Sequence, residues 1–267
     1  MNNFNKIKIP DVKHIIAVAS GKGGVGKSTV SVNLAATLAR QGFKVGMVDA
    51  DIYGPSIPKM LGIENEKPLV EQSNGKETFF TIEKYGMKII SIGFFIKKDQ
   101  GLIWRGPLAA NAILQLFENT QWGELDYLIA DFPPGTGDIQ LTVMQKLKLD
   151  GVVMVTTPQE VALNDARKAA SMFGNKELNV PIFGVVENMS WFTPKPHPEE
   201  KYYIFGKGGG EMLAKELKTS LLAQIPLVIE VGEAAEQGLT IYDTSDMSVI
   251  KEFEKISDVI VLKTSDV

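Results

Sequence analysis

The stretch Ser20–Ser28 reads SGKGGVGKS and holds two lysines among four glycines. Gly21–Ser28 fits G-x-x-x-x-G-K-[ST], a phosphate-loop pattern. In such a loop, glycines let successive backbone N–H groups turn toward phosphate oxygens. The helix that follows presents its positive N-terminus to the same anion. Lys27 is expected to reach the β- and γ-phosphates of a nucleotide, and the Ser28 hydroxyl to ligate Mg²⁺. Gly21, Lys22, Gly23, Gly24, Val25, Gly26, Lys27, Ser28 and Thr29 are the candidate ATP contacts. Lys22 has no place in the general pattern, and its presence needs a separate reason.

Two acidic signals lie downstream. Asp49-Ala-Asp51 follows an apolar run, so both carboxylates fall at the C-terminal end of a strand. In an open α/β sheet that end lies beside the phosphate loop. One carboxylate can shape a Mg²⁺ shell (Asp49) and the other can orient an attacking water (Asp51). Asp131 closes a second apolar run, Leu128-Ile-Ala-Asp131, in the manner of a Walker B aspartate near the metal. Phe132-Pro-Pro-Gly-Thr-Gly-Asp138 comes next, stiff and then flexible, as a segment that senses a γ-phosphate and moves should be. The order of these three signals along the chain supports a nucleotide site.

Those residues need a scaffold. Short apolar runs at His14–Ala19, Val45–Val48, Tyr127–Ala130, Val152–Val155 and Ile182–Val186 read as buried strands. Lys27–Arg40 has apolar residues at helical spacing and stops at Gly42. Apolar strands alternating with helices predict an α/β fold, a mostly parallel sheet covered on both faces. Ser248–Val261 predicts a closing helix. Between about 68 and 101, TFFTI and MKIISI read as strands joined by polar turns, a small hairpin insertion at the sheet edge. Thr193–Tyr203 holds three prolines and predicts a loop. Phe205–Gly210 is glycine-rich but lacks a G-K-[ST] ending, so it predicts a turn into a helix. The expected division is a tail over 1–12 and one domain over 13–267.

Composition narrows the function. The 267 residues are 44% hydrophobic and 22% charged, with a net charge of −4. That balance argues against a broad nucleic-acid surface, which wants clustered positive charge. No run approaches the ~20 apolar residues a membrane span needs. The closing helix mixes acidic and basic residues, unlike a basic membrane-binding tail. There is no cysteine, so thiolate metal sites and disulfides are excluded. A cytoplasmic protein is expected.

The lysine just after the loop's first glycine, in SGKGGVGKST, resembles the deviant Walker A of the MinD/ParA/nitrogenase-iron-protein class. The resemblance implies that Lys22 crosses a homodimer interface to touch the partner's ATP. A lysine brought in by a second subunit would add transition-state charge stabilisation, like an arginine finger. Within that class the chain resembles the Mrp/ApbC branch, regarded as iron–sulfur cluster carrier ATPases. VDADIYGPSIPKMLG, IWRGPLAANAILQL, WGELDYLIADFPPGTGDIQLT, TTPQEVALNDARKA, GVVENMSWF and YYIFGKGGGEMLA carry the likeness from His14 onward. It implies that Asn188 hydrogen-bonds the adenine, that Pro226 lines the base, and that client apoproteins or assembly proteins are partners.

The chain departs from that branch in two places. Members often carry a small domain before the ATPase, whereas about a dozen residues precede the first strand here. The branch also has a Cys-Pro-x-Cys pair after ENMS, which holds a [4Fe–4S] cluster shared between subunits. Pro194 and His197 stand about where those cysteines would be, leaving His197 as the one candidate iron ligand there. The other histidine, His14, is expected to be structural. Trp191-Phe192 are open between a partner surface and core packing, and Arg105 between a switch contact and a surface charge. The expected function is a slow dimeric ATPase of cluster transfer. The alternatives are an ATP-gated assembly switch without its own cluster, or a ParA-like positioning ATPase.

Overall fold

The computed structural model describes residues 6–73, 75–96, 106–175 and 178–265. Its strands are β1 (Val12–Ser20), β2 (Val45–Asp49), β3 (Val70–Ser73), β4 (Lys76–Phe79), β5 (Ile82–Lys84), β6 (Met87–Ser91), β7 (Leu125–Asp131), β8 (Gly151–Thr156), β9 (Ile182–Glu187) and β10 (Leu221–Gln224). The helices are α1 (Lys27–Arg40), α2 (Ile57–Met60), α3 (Gly106–Glu118), α4 (Asp138–Lys146), α5 (Glu160–Phe173), α6 (Gly209–Glu216), α7 (Ile229–Glu236) and α8 (Met247–Ser265). Eight strands form one sheet in the order β10-β9-β8-β1-β7-β2-β6-β5. All pairs are parallel except β5 with β6. This is the α/β architecture the alternating pattern predicts.

The central strands are buried along most of their length, which is why they read as unbroken apolar runs. On one face α3, α4, α5 and α6 pack through residues such as Ile113, Phe117, Val143, Phe173 and Leu213. On the other, α1 and α8 contribute Leu34, Leu38, Phe253 and Ile260. The acidic and basic side chains of α8 sit on its outer face while its apolar stripe covers the sheet, as expected of a closing helix. Residues before β1 join the same body: Ile9 is buried, and Ile7 pairs with Leu147.

The insertion at 68–101 differs from its expectation in part. β3 and β4 do form a separate hairpin, and β5 lies antiparallel at the edge. But β6, the MKIIS run, is an integral parallel strand beside β2, buried from Ile89 to Ser91. The run TFFTI is not one strand. It is divided between β4 and β5 because Phe79 turns inward and bonds to Asn119 and Gln121. Residues 97–101 lie outside the described residues, as does Arg105. β10 went unpredicted; it is four residues long and its two ends are only half-buried.

Parallel register sets the site. Asp49 at the end of β2 is the direct neighbour of Asp131 at the end of β7. Val18 of β1 is the neighbour of Asp131 on its other side, three residues before Gly21 opens the phosphate loop. Three sequence-distant segments therefore converge on one C-terminal edge, where open α/β sheets bind ligands.

Candidate nucleotide site

The loop between β1 and α1 has the backbone that a phosphate cradle requires. Gly24 and Gly26 adopt φ values of 79° and 82°, in the left-handed region that favours glycine. A Cβ on Gly26 would lie 2.1 Å from Asn188 Nδ2, and one on Gly21 would lie 2.1 Å from the backbone of Asp165 on α5. The cradle is thus pressed against both β9's exit and α5. Lys27, Ser28 and Thr29 then open α1, with Gly26 at its N-cap position.

Behind the loop lies a closed polar network. Lys27 is buried, its Nζ 2.8 Å from Asp131 Oδ2 and 3.4 Å from Asp51 Oδ2. The Ser28 hydroxyl donates to Asp131 Oδ2 at 2.7 Å. Ser31, one turn further along α1, donates to Asp131 Oδ1 at 2.6 Å. Asp49 accepts from the Ser91 hydroxyl at 2.9 Å and from the Asp51 and Ile57 amides. Asp51 Oδ1 is buried without a hydrogen-bond partner. Buried polar atoms are rarely left so.

The charges shift accordingly. Burial alone would push the Lys27 ammonium down, but Asp131, then Asp51 and Asp49, outweigh it and hold it above its ordinary value. Burial pushes Asp49 up to about 8, with the Asp131 charge adding and the Ser91 hydroxyl opposing. Asp51 is also raised, again through burial first, with Lys27 opposing. Lys22 is only half-buried. Its carbonyl accepts from Ser20 Oγ. Among the described residues no carboxylate pairs with its ammonium. The Gly135 amide bonds to the Ser20 carbonyl at 2.9 Å, so the Pro133–Gly137 segment is tied to the strand that feeds the cradle.

Asn188 and Pro226 meet beside this network. They line a cavity of about 150 Å³ with Thr29, Ile225, Val231 and Phe253. The Asn188 amide donates to the Val25 carbonyl at 2.9 Å, so its side chain lies on the phosphate loop itself. Met189 next to it has φ 55°, a strained backbone of the kind that concentrates at functional sites. His197 lies apart, on an exposed turn of the proline loop. His14 is in β1, its ring 5.6 Å from that of Tyr127. Trp191 and Phe192 are half-buried, Phe192 pairing with Tyr202 and Leu227. Sequence reasoning missed Ser31, Ser91, Val231 and Phe253. Ser31 alone left a signal, since it follows Ser28 at helical spacing.

Residues 11–261 match the family described as ParA: NUBPL iron-transfer P-loop NTPase. The chain belongs to this family. An iron-sulfur cluster carrier protein from Aquifex aeolicus is 48% identical over 259 residues, covering 96% of this chain and 70% of that relative. Among solved structures, a nucleotide-binding protein from Archaeoglobus fulgidus in complex with ADP aligns with a TM-score of 0.74. It is 39% identical and covers 85% of this chain and 87% of its own. The Pyrococcus furiosus cell division ATPase MinD shares the fold, with a TM-score of 0.65 at 20% identity over 94% of this chain and 99% of its own. Among the described residues no helix is long and apolar enough to cross a membrane.

The donors that the family's cargo calls for are different here. Iron–sulfur clusters are held by cysteine thiolates, with histidine replacing two at most. This chain has no cysteine, and the loop at 193–203 offers one imidazole and two carboxylates as donors. These residues do not fit a cluster held by this chain.

Proposed function

We propose that this chain is an ATP-binding and hydrolysing member of the iron-transfer family, working as a homodimer that acts on client proteins of iron–sulfur assembly. The observation that carries the ATPase reading is the network at Asp131, which gathers Lys27, Ser28 and Asp51 behind a glycine cradle. The loop amides and Lys27 hold the phosphates. Thr29, Asn188 and Pro226 line the base. Ser28, with Asp131 and Asp49 behind it, holds the metal side of the site. Mg²⁺, when bound, neutralises charge on the β- and γ-oxygens. Asp51 orients the attacking water through its unpartnered oxygen, and Lys22 serves the partner subunit's nucleotide. Such a cycle, without a GTPase-activating protein's help, is expected to be slow. A cytoplasmic setting, where ATP is supplied, suits such a cycle.

A second reading is favoured by the donor chemistry. Without thiolates the ATP cycle would gate a surface for a client rather than carry a cluster of its own. Anaerobic reconstitution with iron and sulfide, followed by desalting and measurement of bound sulfide, separates the two: retained sulfide supports carriage, and none supports the gating role. For the ATPase itself, Lys27→Ala is expected to abolish hydrolysis in a phosphate-release assay. Hydrolysis that persists in that variant would overturn the assignment.

A further inference from the structure

The loop that follows β9 carries a second set of donors. His197, Glu199 and Glu200 each offer one ligand atom, and these atoms lie within 4.8 Å of one another. Ligand atoms around a divalent first-row ion stand about 3–3.5 Å apart, given bonds of roughly 2.0–2.2 Å. Small side-chain rotations close the difference, because His197 and Glu199 are 59% and 71% exposed and free to turn.

The backbone beneath them is held from several sides. Three prolines, Pro194, Pro196 and Pro198, stiffen it. The His197 amide bonds to the Pro194 carbonyl and the Glu200 amide to the His197 carbonyl, closing two successive turns. Phe192 and Tyr202 pair across the loop's base. The Tyr202 hydroxyl donates to Glu200, the kind of outer contact that orients a metal-binding carboxylate.

Charge points the same way. The loop's own lysines are occupied elsewhere. Lys195 pairs with Glu230 of α7, and the Lys201 ammonium sits 3.9 Å above the Trp191 ring. Among the described residues no cation pairs with Glu199 or Glu200 except the imidazole of His197 itself. An imidazole beside two carboxylates that no lysine or arginine compensates is a ligand set for a cation. The imidazole favours Fe, Zn, Ni or Cu over Mg or Ca, and the carboxylates suit a borderline divalent ion rather than a soft one.

We infer that His197, Glu199 and Glu200 form a mononuclear site for a divalent first-row metal ion. The site leaves coordination positions open to water, so the ion it holds is exchangeable. The inference rests on the iron-transfer reading only in the choice of ferrous iron as the first probe.

The test titrates the full, nucleotide-free chain anaerobically with Fe²⁺, and separately with Co²⁺ as a spectroscopic reporter, in excess Mg²⁺ to fill the carboxylates at the phosphate loop. One ion per chain is expected, with a paramagnetically shifted imidazole resonance in the Co²⁺ form. His197→Ala, and the double change Glu199→Gln with Glu200→Gln, should each weaken binding at least about tenfold. Lys27→Ala, which disables the phosphate loop, should keep the ion. Absence of a bound ion, or affinity unchanged in both loop variants, overturns the site. ATP hydrolysis measured on the same preparations separates the two readings. Intact hydrolysis without metal binding overturns the metal site alone, whereas metal binding without hydrolysis overturns the ATPase alone.

Discussion

Asp131 is fully buried and accepts from three groups, Lys27, Ser28 and Ser31. Two of those are the groups a nucleotide and its metal would recruit. Ser31 is not, and it keeps Oδ1 satisfied while Oδ2 faces the cradle. Ser31→Ala would leave a buried carboxylate oxygen without its donor, a loss of about 1–3 kcal/mol. Urea unfolding should show that loss, and Mg²⁺-ATP turnover should fall with it because Asp131 is no longer held in one orientation. A midpoint unchanged from the parent would refute the role. Asp49 makes a different prediction. The native chain keeps its proton up to about pH 8, while the unfolded chain releases it near the ordinary value of 3.8. Between those values the folded state binds more protons, so stability falls as pH rises, and it levels off above about 8. Burial of Asp51 acts in the same direction. Nucleotide-free protein should therefore unfold at lower urea at pH 8 than at pH 5, and Asp49→Asn should flatten that slope.

The strand–loop–helix element from β1 to α1 is where glycine identity matters most. Gly26 combines φ 82° with a Cβ position 2.1 Å from Asn188 Nδ2. Gly26→Ala must both strain the backbone and displace the side chain that ties the loop to the neighbouring cavity. It should eliminate ATP binding in a fluorescent-nucleotide titration. Gly54→Ala, on the loop after β2, meets nothing within 4 Å and has ordinary φ, so it should bind as the parent does. The same element explains what the sequence disclosed. β1, β2, β7, β8 and β9 are buried along most of their length, so their inner stretches had to be apolar and read as strands. The α1 boundaries follow from Gly26 and Gly42, and the loop glycines sit where φ demands them. β3 is exposed at every position, and β6 lies among polar turns, so neither had a periodic signature to place it in its sheet. Ser91 reaches Asp49 only because β6 pairs with β2, a contact that spacing along the chain does not encode. The cavity beside the loop was half legible: Pro226 and Asn188 came from resemblance, whereas Val231 and Phe253 arrive on α7 and α8 from the far end of the chain.

At the scale of the whole molecule the unsolved residue is Lys22. Lys27 is neutralised within its own chain by Asp131 and Asp51, while the Lys22 ammonium, in the same loop and half-buried, pairs with no described carboxylate. One cation is thus built into the cradle and another is left at its mouth. If the second acts on a facing subunit, the site is complete only in a pair of chains, and activity should depend on which chain supplies which lysine. Lys22→Ala alone should keep nucleotide binding and lose hydrolysis by at least about a hundredfold, the scale of removing one preorganised donor from developing charge. Lys27→Ala alone should lose both. Mixed together, the two inactive proteins can form a pair in which the Lys27→Ala chain offers an intact Lys22 to the nucleotide held by the Lys22→Ala chain. Hydrolysis should then reappear, rise with the fraction of mixed pairs, and vanish on dilution below the concentration at which the chains associate. A mixture as silent as its components, with mixed pairs demonstrated by differential labelling, would place the action of Lys22 within its own chain. Unchanged turnover in Lys22→Ala would remove it from the chemistry altogether.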